Sequence, residues 1–319
     1  MSRNPSEPIM NQPPNRNKHH RRHGYLYSPL KDIAGELTPF IYVGPTLLLI
    51  VVLLIYPLVS VFYYSTLDWS GLGKGVFIGL ANYVSLFADS NFWDALVTNL
   101  IYVAFFSIIP TVLGVIIATI VGRTMLRGER VFRAILLTPQ VVASVAMGVI
   151  FSWIFAPGFG VVNGILGIVG LSSWQHTWLG SMGLARLSVG LVGTWMWVGF
   201  AVIVFVAGIK KIDVRIFDAV RIDGANEIQQ FFAITLPEIR AEFVVVIIVT
   251  LIRAFGSNVF GIVSAITGGG YHTQPLSLLA YNLAFIQNRM GYGSAVIVFL
   301  IIVILGLSAL TFRVGEQER

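Results

Sequence analysis

The chain lacks cysteine and is poor in charge. None of its 319 residues is cysteine, which excludes disulfides and thiolate metal sites. Only 11% of the residues are charged, whereas 56% are hydrophobic, and the mean hydropathy is +0.80. This composition is too apolar for a soluble domain of that length. It predicts an integral membrane protein.

The long apolar runs also lack carboxylates. Six segments are long and apolar enough to cross a bilayer: 40–66, 97–122, 134–155, 187–209, 243–263 and 292–312. All fifteen acidic residues fall in tails or in connections between these segments. Because ion-coupled carriers usually keep an Asp or Glu within their helices, this absence disfavours an ion-coupled secondary transporter. An ion-coupled secondary transporter remains the alternative from a different functional class.

The sequence also lacks a set of residues suited to catalysis. Three of the five histidines lie together near the N-terminus, and the other two, His176 and His272, fall in connections without a plausible partner nearby. The GLGKG stretch at 71–75 lacks the spacing and the Ser or Thr of a nucleotide-binding P-loop. We therefore predict no catalytic residue, no metal site and no enzyme activity, so that any ATP is bound by a partner protein.

Basic residues are distributed unequally between the two sides of the predicted spans. Seventeen Lys and Arg lie in the N-terminal tail, in 123–133, in 210–242 and at the C-terminus, against three in the remaining connections. The positive-inside rule then predicts that both termini are cytoplasmic, and it explains the net charge of +6 without a nucleic acid partner.

Three regions follow along the chain. Residues 1–39 are basic and rich in Pro and Asn, which predicts a disordered cytoplasmic tail. The HHRRH cluster of this tail suits either a solvated tail or a contact with anionic membrane lipid. Residues 40–313 form the predicted transmembrane domain, and 314–319 form a second cytoplasmic tail.

A polar block, 210–242, separates the fourth and fifth predicted spans. Asp213 is placed to cap a first helix, Gly224 interrupts it, and a second helix runs through ANEIQQFFAI towards Pro237. Apolar residues of both helices, Ile216 and Ile228 among them, predict a hairpin with one apolar side and one charged side. Such a surface is typical of a partner site, and an amphipathic linker lying on lipid headgroups is the alternative.

The sequence FDAVRIDGANEIQQFFAITLP, 217–237, resembles the EAA loop of binding-protein-dependent ABC importer permeases. That pattern has Glu-Ala-Ala, then three residues, then Gly, with Leu-Pro ending thirteen residues after the Gly. The resemblance implies that this loop docks on a cytoplasmic ATPase. The residues to which it assigns this coupling role are Phe217, Asp218, Ala219, Asp223, Gly224, Ala225, Phe231, Leu236 and Pro237.

The flanking sequences are similar to carbohydrate permeases of the maltose and glycerol-3-phosphate type. The stretches that carry this similarity are 130–166, TWMWVGF at 194–200, AITGGGY at 265–271 and GYGSA at 291–295. Within the loop, Asp218 and Val220 stand where the pattern has Glu and the second Ala. Two positions outside the loop also depart from the family pattern. Tyr271 stands where the family often has Pro, and Gly261 stands where it often has an acidic residue.

The resemblance implies a fold, partners and a substrate. The fold is the all-α, six-helix transmembrane domain of a type I ABC importer, in the cytoplasmic membrane of a bacterium or archaeon. The partners are a second homologous permease, two ABC ATPase subunits and an extracytoplasmic solute-binding protein. The substrate is a di- or oligosaccharide, with glycerol-3-phosphate or another polyol phosphate as the alternative.

Arg253 is the one charged residue inside a predicted span. Since a mid-bilayer charge costs about 3 kcal/mol, it should face the bundle interior or water. A substrate contact and a structural pairing remain equally open for it. For Trp195 and Trp197, packing is favoured over sugar stacking. The candidates for the substrate pathway are Arg253, Asn258, Trp195, Asn99 and Tyr102.

Overall fold

The structure, a computed structural model, describes residues 42–122 and 128–316, with the side chains of 129–130 and 314–316 left out. The predicted N-terminal tail and the end of the C-terminal tail lie outside the described residues. Two units are distinguished, Met1–Tyr56 and Pro57–Arg319. The first contributes only the helical stretch 42–56 to the described residues, and every site discussed below belongs to the second.

Helices account for most of the described chain, which confirms the predicted helical fold. In chain order they are α1 (Tyr42–Tyr64), α2 (Ala81–Ala88), α3 (Ser90–Gly122), α4 (Glu129–Val141), α5 (Ser144–Ile154), α6 (Val161–Ile168), α7 (Leu184–Ile209), α8 (Val214–Ile222), α9 (227–238), α10 (Arg240–Phe255), α11 (Ser257–Ile266), α12 (Leu276–Ile286) and α13 (Met290–Glu316).

Four helices, α1, α3, α7 and α13, are each long and apolar enough to cross a membrane. Two further spans exist if each of two bent helix pairs counts as one. The pair α4 and α5 bends by 96°, and the pair α10 and α11 bends by 43°. The third and fifth predicted spans are therefore each broken into two helices.

Each break has a local cause. Pro139 lies in the last turn of α4, and Val142 after it is extended, with φ −74° and ψ 133°. A proline cannot donate to the helix ladder and crowds the preceding turn, so it ends or kinks a helix. At the second break Gly256 takes φ −98° and ψ −148°, outside the helical region. The last turn of α10 stops there, and α11 starts in a new direction.

Several helices begin earlier than the apolar runs indicate. Helix α3 begins at Ser90, because Asp89 caps it by accepting a hydrogen bond from the Asn91 amide. Asp94 consequently lies inside α3, and Glu242 lies inside α10. The absence of carboxylates holds for the six apolar segments and does not extend to the complete helices.

Glycines allow the close approach of α3, α4 and α7. A Cβ atom on Gly114 would lie 2.4 Å from the Cβ of Ala201, and one on Gly193 would lie 2.2 Å from the Phe106 ring. At Gly199 it would lie 1.9 Å from the carbonyl oxygen of Leu136. Small residues at helix contacts let backbones approach closely, which is the usual basis of packing between membrane helices.

A two-stranded antiparallel sheet follows α1, so the all-α assignment needs a small correction. Strand β1 (Leu67–Asp68) pairs with β2 (Val76–Phe77). Asn82 fixes this connection, because its side-chain amide donates to the carbonyls of Ser65 and Leu67 at 2.9 Å each. The sheet closes a connection between candidate spans and leaves the helical architecture unchanged.

Candidate coupling surface and substrate pathway

The polar block folds as two short helices around Gly224, as predicted. Asp213 caps α8 by accepting from the Arg215 amide at 2.9 Å. Gly224 takes φ +86°, in the left-handed region, and its amide donates to the carbonyl of Arg221 at 3.1 Å. Glycine adopts this conformation without steric penalty, which is why α8 can end in a tight turn here.

The second helix, α9, has a reciprocal cap. The Asn226 side chain accepts from the Gln229 amide at 2.9 Å, and the Gln229 side chain accepts from the Asn226 amide at 2.8 Å. This capping box satisfies two amides that a helix N-terminus otherwise leaves unpaired. The buried Gln230 adds a bond from its side-chain amide to the carbonyl of Ala225. The turn at 223–226 is thus fixed from both sides.

The apolar residues of this block face in two directions, so the prediction of a single apolar side was wrong. Phe217 is buried in a core cluster with residues of α3, α7 and α10, and Phe231 packs against the same cluster. Other apolar residues point outwards, with 86% of Ile222, 70% of Ile228 and 62% of Phe232 exposed. Ile216 is exposed as well, at 44%. We call the four most exposed of these residues, Val214, Ile222, Ile228 and Phe232, the coupling patch.

The residues with a predicted coupling role divide in the same way. Four are exposed beside the turn at Gly224: Asp218, Ala219, Asp223 and Gly224 itself. The other five are buried or half-buried: Phe217, Ala225, Phe231, Leu236 and Pro237. The first group is accessible to a partner. Within the second group, Phe217 and Phe231 anchor the two helices to the bundle.

A charged cluster connects three distant parts of the chain. Arg186 on α7 pairs with Asp94 on α3 at 2.6 Å, and Asp94 also contacts His272 Nδ1 at 2.9 Å. Arg186 Nε donates in addition to the carbonyl of His272. The expectation that His272 has no partner was therefore wrong. Because these contacts bridge up to 178 positions of sequence, no local pattern could indicate them.

The loop 267–275 is held against α3 by buried polar side chains. Tyr102 donates to the carbonyl of Thr273 at 3.1 Å, and Asn99 donates to Ala254 at 3.1 Å while accepting from the Leu276 amide at 2.7 Å. Both side chains are fully buried. The structure thus gives Asn99 and Tyr102 partners within the chain. Their predicted role in the substrate pathway stays a prediction.

The other three pathway candidates are accessible to different extents. Arg253 is exposed and donates to Asn258 Oδ1 at 3.2 Å across the break at Gly256, so the structure brings these two residues together. Trp195 is 47% exposed. It borders an apolar groove of about 380 Å³ whose other lining residues are Ile135, Leu136, Thr138, Pro139 and Val198.

Trp197 was not among the pathway candidates, although it lies next to them. It is 2% exposed and packs in the core, which agrees with the packing interpretation of the sequence. The guanidinium carbon of Arg253 lies 5.5 Å from the centre of its ring. The sequence gives no sign of this contact between Arg253 and Trp197, because the two residues lie on different helices, α10 and α7.

A family model matches residues 111–315, a range that includes α8, α9 and the bent pair α10–α11. Its description is "Binding-protein-dependent transport system inner membrane component". The chain belongs to this family. It is thus a transport permease of the ABC class, and the resemblance seen in the sequence is confirmed.

Curated relatives align with this permease along nearly their whole length. The probable ABC transporter permease protein YurN of Bacillus subtilis (strain 168) is 33% identical over 89% of this chain and 99% of YurN. The probable starch degradation products transport system permease protein AmyD of Thermoanaerobacterium thermosulfurigenes is 29% identical over 84% and 91%. The sn-glycerol-3-phosphate transport system permease protein UgpA of Yersinia pestis is 30% identical over 88% and 94%.

A solved structure shows the same fold. It is a crystal structure of a bacterial ABC transporter involved in the import of the acidic polysaccharide alginate. The TM-score is 0.77 at 21% identity, and the match covers 91% of this permease and 98% of that chain. The arrangement of helices is therefore that of an ABC importer permease.

The structure accounts for the two departures of this permease from the family pattern that lie outside the loop. A Cβ atom on Gly261 would lie 2.3 Å from Ser144 Oγ, so α5 leaves no room there for an acidic side chain. Tyr271 takes φ +53°. Proline, which is fixed near φ −65°, cannot adopt this conformation.

Proposed function

We propose that this permease is one of two homologous permease subunits in an ATP-driven, binding-protein-dependent importer of a di- or oligosaccharide. The observation that carries the proposal is the family match over 111–315, which spans both the coupling patch and the bent pair α10–α11. The relative AmyD, named for starch degradation products, supports a carbohydrate substrate. The alginate transporter, which shares the fold, imports a polysaccharide.

The proposed importer contains further subunits. The importer has two ABC ATPases, one of which contacts the turn at Gly224 and the coupling patch, and the ATP-driven closure of the ATPase pair moves the permease pair between inward-facing and outward-facing states. An extracytoplasmic solute-binding protein delivers the substrate. One solved structure of the alginate transporter, with a TM-score of 0.76 to this permease, is a complex with a periplasmic protein bound to an alginate pentasaccharide.

The proposed arrangement in the membrane has six spans, with α4–α5 and α10–α11 each crossing once. Both termini and the segment 210–242 then face the cytoplasm, as the distribution of basic residues predicts. The membrane is the cytoplasmic membrane of a bacterium, because the family consists of inner membrane components. Substrate crosses at the contact between the two permeases.

Two other functions are weighed against this one. A glycerol-3-phosphate or polyol phosphate importer is supported by the relative UgpA and by the mid-span Arg253. An ion-coupled secondary transporter is disfavoured by the family match. Uptake that collapses with an uncoupler while ATP is held constant would favour the secondary transporter.

Crosslinking tests the coupling surface directly, because the chain contains no cysteine. Single cysteines are placed at the exposed Ile222 or Ile228, with the exposed Trp174, between α6 and α7, as the control. We expect the first two to capture an ATP-hydrolysing subunit and the control to capture none. Capture from Trp174→Cys alone would contradict the proposed coupling end.

Substitutions at the turn provide the functional test. Gly224→Pro removes the amide that donates to Arg221 and forbids φ +86°, whereas Gly224→Asn tolerates the left-handed conformation. We expect ATP-dependent sugar uptake in proteoliposomes to be lost with Pro and largely kept with Asn, at equal amounts in the membrane. Charge reversal at Asp218 should also uncouple uptake. Normal uptake by Gly224→Pro and Asp218→Lys would refute the coupling role.

A further inference from the structure

The bent pair α10–α11 carries a positive charge at its midpoint. Arg253 lies thirteen residues after Arg240, where α10 begins, and thirteen before Ile266, where α11 ends. If the pair crosses the membrane once, Arg253 is at mid-bilayer depth. A charge at that depth costs about 3 kcal/mol, so its side chain must face protein or water and not lipid.

The contacts of Arg253 hold the guanidinium without neutralising it. One nitrogen donates to Asn258 at 3.2 Å, and the guanidinium lies over the Trp197 ring at 5.5 Å. Among the described residues no carboxylate forms an ion pair with it. Glu242 on the same helix is eleven residues away, roughly 16 Å, and it pairs with Lys211 at 2.9 Å. Most N–H donors of the Arg253 guanidinium are thus available to hydrogen-bond with a further group.

The break at Gly256 adds further donors at the same depth. Helix α11 starts at Ser257 without a side-chain cap, so its amino end, the positive end of the helix dipole, is presented beside Arg253. Asn258 is used as an acceptor, which leaves its amide nitrogen as a donor. The buried indole nitrogen of Trp197 also has no hydrogen-bond partner in the described part of the chain. The site therefore offers donors and positive charge together.

We propose that Arg253, oriented by Asn258 and Trp197, binds an anionic group of the substrate on its way through the membrane. This inference rests on the proposed importer function and narrows its substrate to one with an anionic group, which is an acidic sugar or the phosphate of a sugar or polyol. Carboxylate and phosphate share the relevant chemistry, because both accept two parallel hydrogen bonds from a guanidinium. A broken membrane helix whose amino end faces an anionic substrate group is a known arrangement in transporters.

Binding measurements test the site without requiring transport. The full chain with its co-purified partner subunits is embedded in nanodiscs and titrated with two matched pairs: trigalacturonate against galactotriose, and sn-glycerol 3-phosphate against glycerol. The first pair reports a carboxylate site and the second a phosphate site. The variants are Arg253→Met, Arg253→Lys and the control Arg289→Met, which removes the same charge at Tyr292 instead.

We expect the wild type to prefer the acidic member of at least one pair. Arg253→Met should weaken that binding by about 10- to 100-fold, the range for a lost charge-assisted hydrogen bond, and should leave the neutral probe unaffected. Arg253→Lys should keep part of the preference, and Arg289→Met all of it. The absence of a preference in the wild type, or unchanged binding by Arg253→Met, would overturn the inference.

Two further results separate this inference from the proposed function. ATP-dependent uptake of neutral galactotriose, together with no Arg253-dependent preference for either acidic probe, would keep the importer and remove the anion site. Arg253-dependent binding of an acidic probe without ATP-dependent uptake of any probe would support the anion site and contradict the proposed importer function. A lower yield of the permease pair with Arg253→Met, at unchanged probe selectivity, would show that Arg253 pairs with the second permease and would also overturn the inference.

Discussion

Replacing Asn99 decides whether this residue serves the substrate pathway or the fold. Its side chain is fully buried, donates to the carbonyl of Ala254 and accepts from the amide of Leu276. It therefore bridges α3 to the end of α10 and to the start of α12. Asn99→Leu keeps a similar volume but removes both bonds, whereas Asn99→Asp keeps the acceptor for Leu276.

The expected loss of stability comes from the two backbone groups that Asn99→Leu leaves without a partner, the Ala254 carbonyl and the Leu276 amide. A buried donor or acceptor without a partner costs about 1–3 kcal/mol, so leaving two of them unpaired in Asn99→Leu should destabilise the chain by roughly 2–6 kcal/mol. With an unfolding entropy of about 2.1 cal/mol/K per residue, a chain of 319 residues loses about 1.5 °C of melting temperature per kcal/mol, which predicts a decrease of about 3–9 °C. Asn99→Asp should lose less at a pH that keeps its buried carboxyl protonated, because the protonated acid accepts from Leu276 and donates to Ala254, whereas an ionised carboxylate would face the Ala254 carbonyl unpaired.

The assay is thermal unfolding in detergent, together with the initial rate of uptake in proteoliposomes. The control is Thr138→Val, which removes a local bond from an exposed hydroxyl to Ala134 and should change the melting temperature little. We expect Asn99→Leu to reduce the amount of folded protein while leaving the apparent KM for the substrate unchanged. An unchanged melting temperature together with a raised KM would refute this reasoning and place Asn99 in the pathway.

Two further predictions concern packing and a connection. Gly199→Ala places a Cβ 1.9 Å from the Leu136 carbonyl oxygen and should reduce the folded yield severely, whereas Gly164→Ala on α6 meets nothing within 4 Å and should not. Equal yields would show that α4 can move away. Asn163→Ala removes the acceptor of the Trp178 indole at 2.8 Å and should make 155–183 more sensitive to protease, and unchanged cleavage would contradict this.

Local signals made the helices of the 210–239 block predictable. Asp213, Gly224 and Asn226 act within three or four residues of their own positions, through a cap, a left-handed turn and a capping box. Cap and turn chemistry is short-range, so a sequence displays it directly. The direction of the side chains was predicted less well, because the burial of Phe217 depends on α3, α7 and α10.

Long-range contacts account for the features that the sequence did not indicate. Asp94, Arg186 and His272 form one cluster from three separate segments, and each of them alone reads as an ordinary polar residue near a helix end. Likewise, Pro139 and Gly256 are visible in the sequence, but the angles of 96° and 43° depend on what packs around the breaks. Apolar length alone predicts a span and not its continuity.

The two-sided distribution of apolar residues on α8 and α9 has a mechanical meaning within the proposed importer. Phe217 lies in the same core cluster as Phe205 of α7 and Val246 of α10, and close-packed interiors transmit displacement. Arg253 follows Val246 by seven residues, about two turns, on α10. A partner that moves the coupling patch therefore moves the helix that carries the mid-span charge. Binding a partner requires exposed apolar side chains such as those of the coupling patch. Transmitting its movement to the bundle requires buried apolar side chains such as Phe217. A helix pair with one apolar side would provide only one of these two contacts.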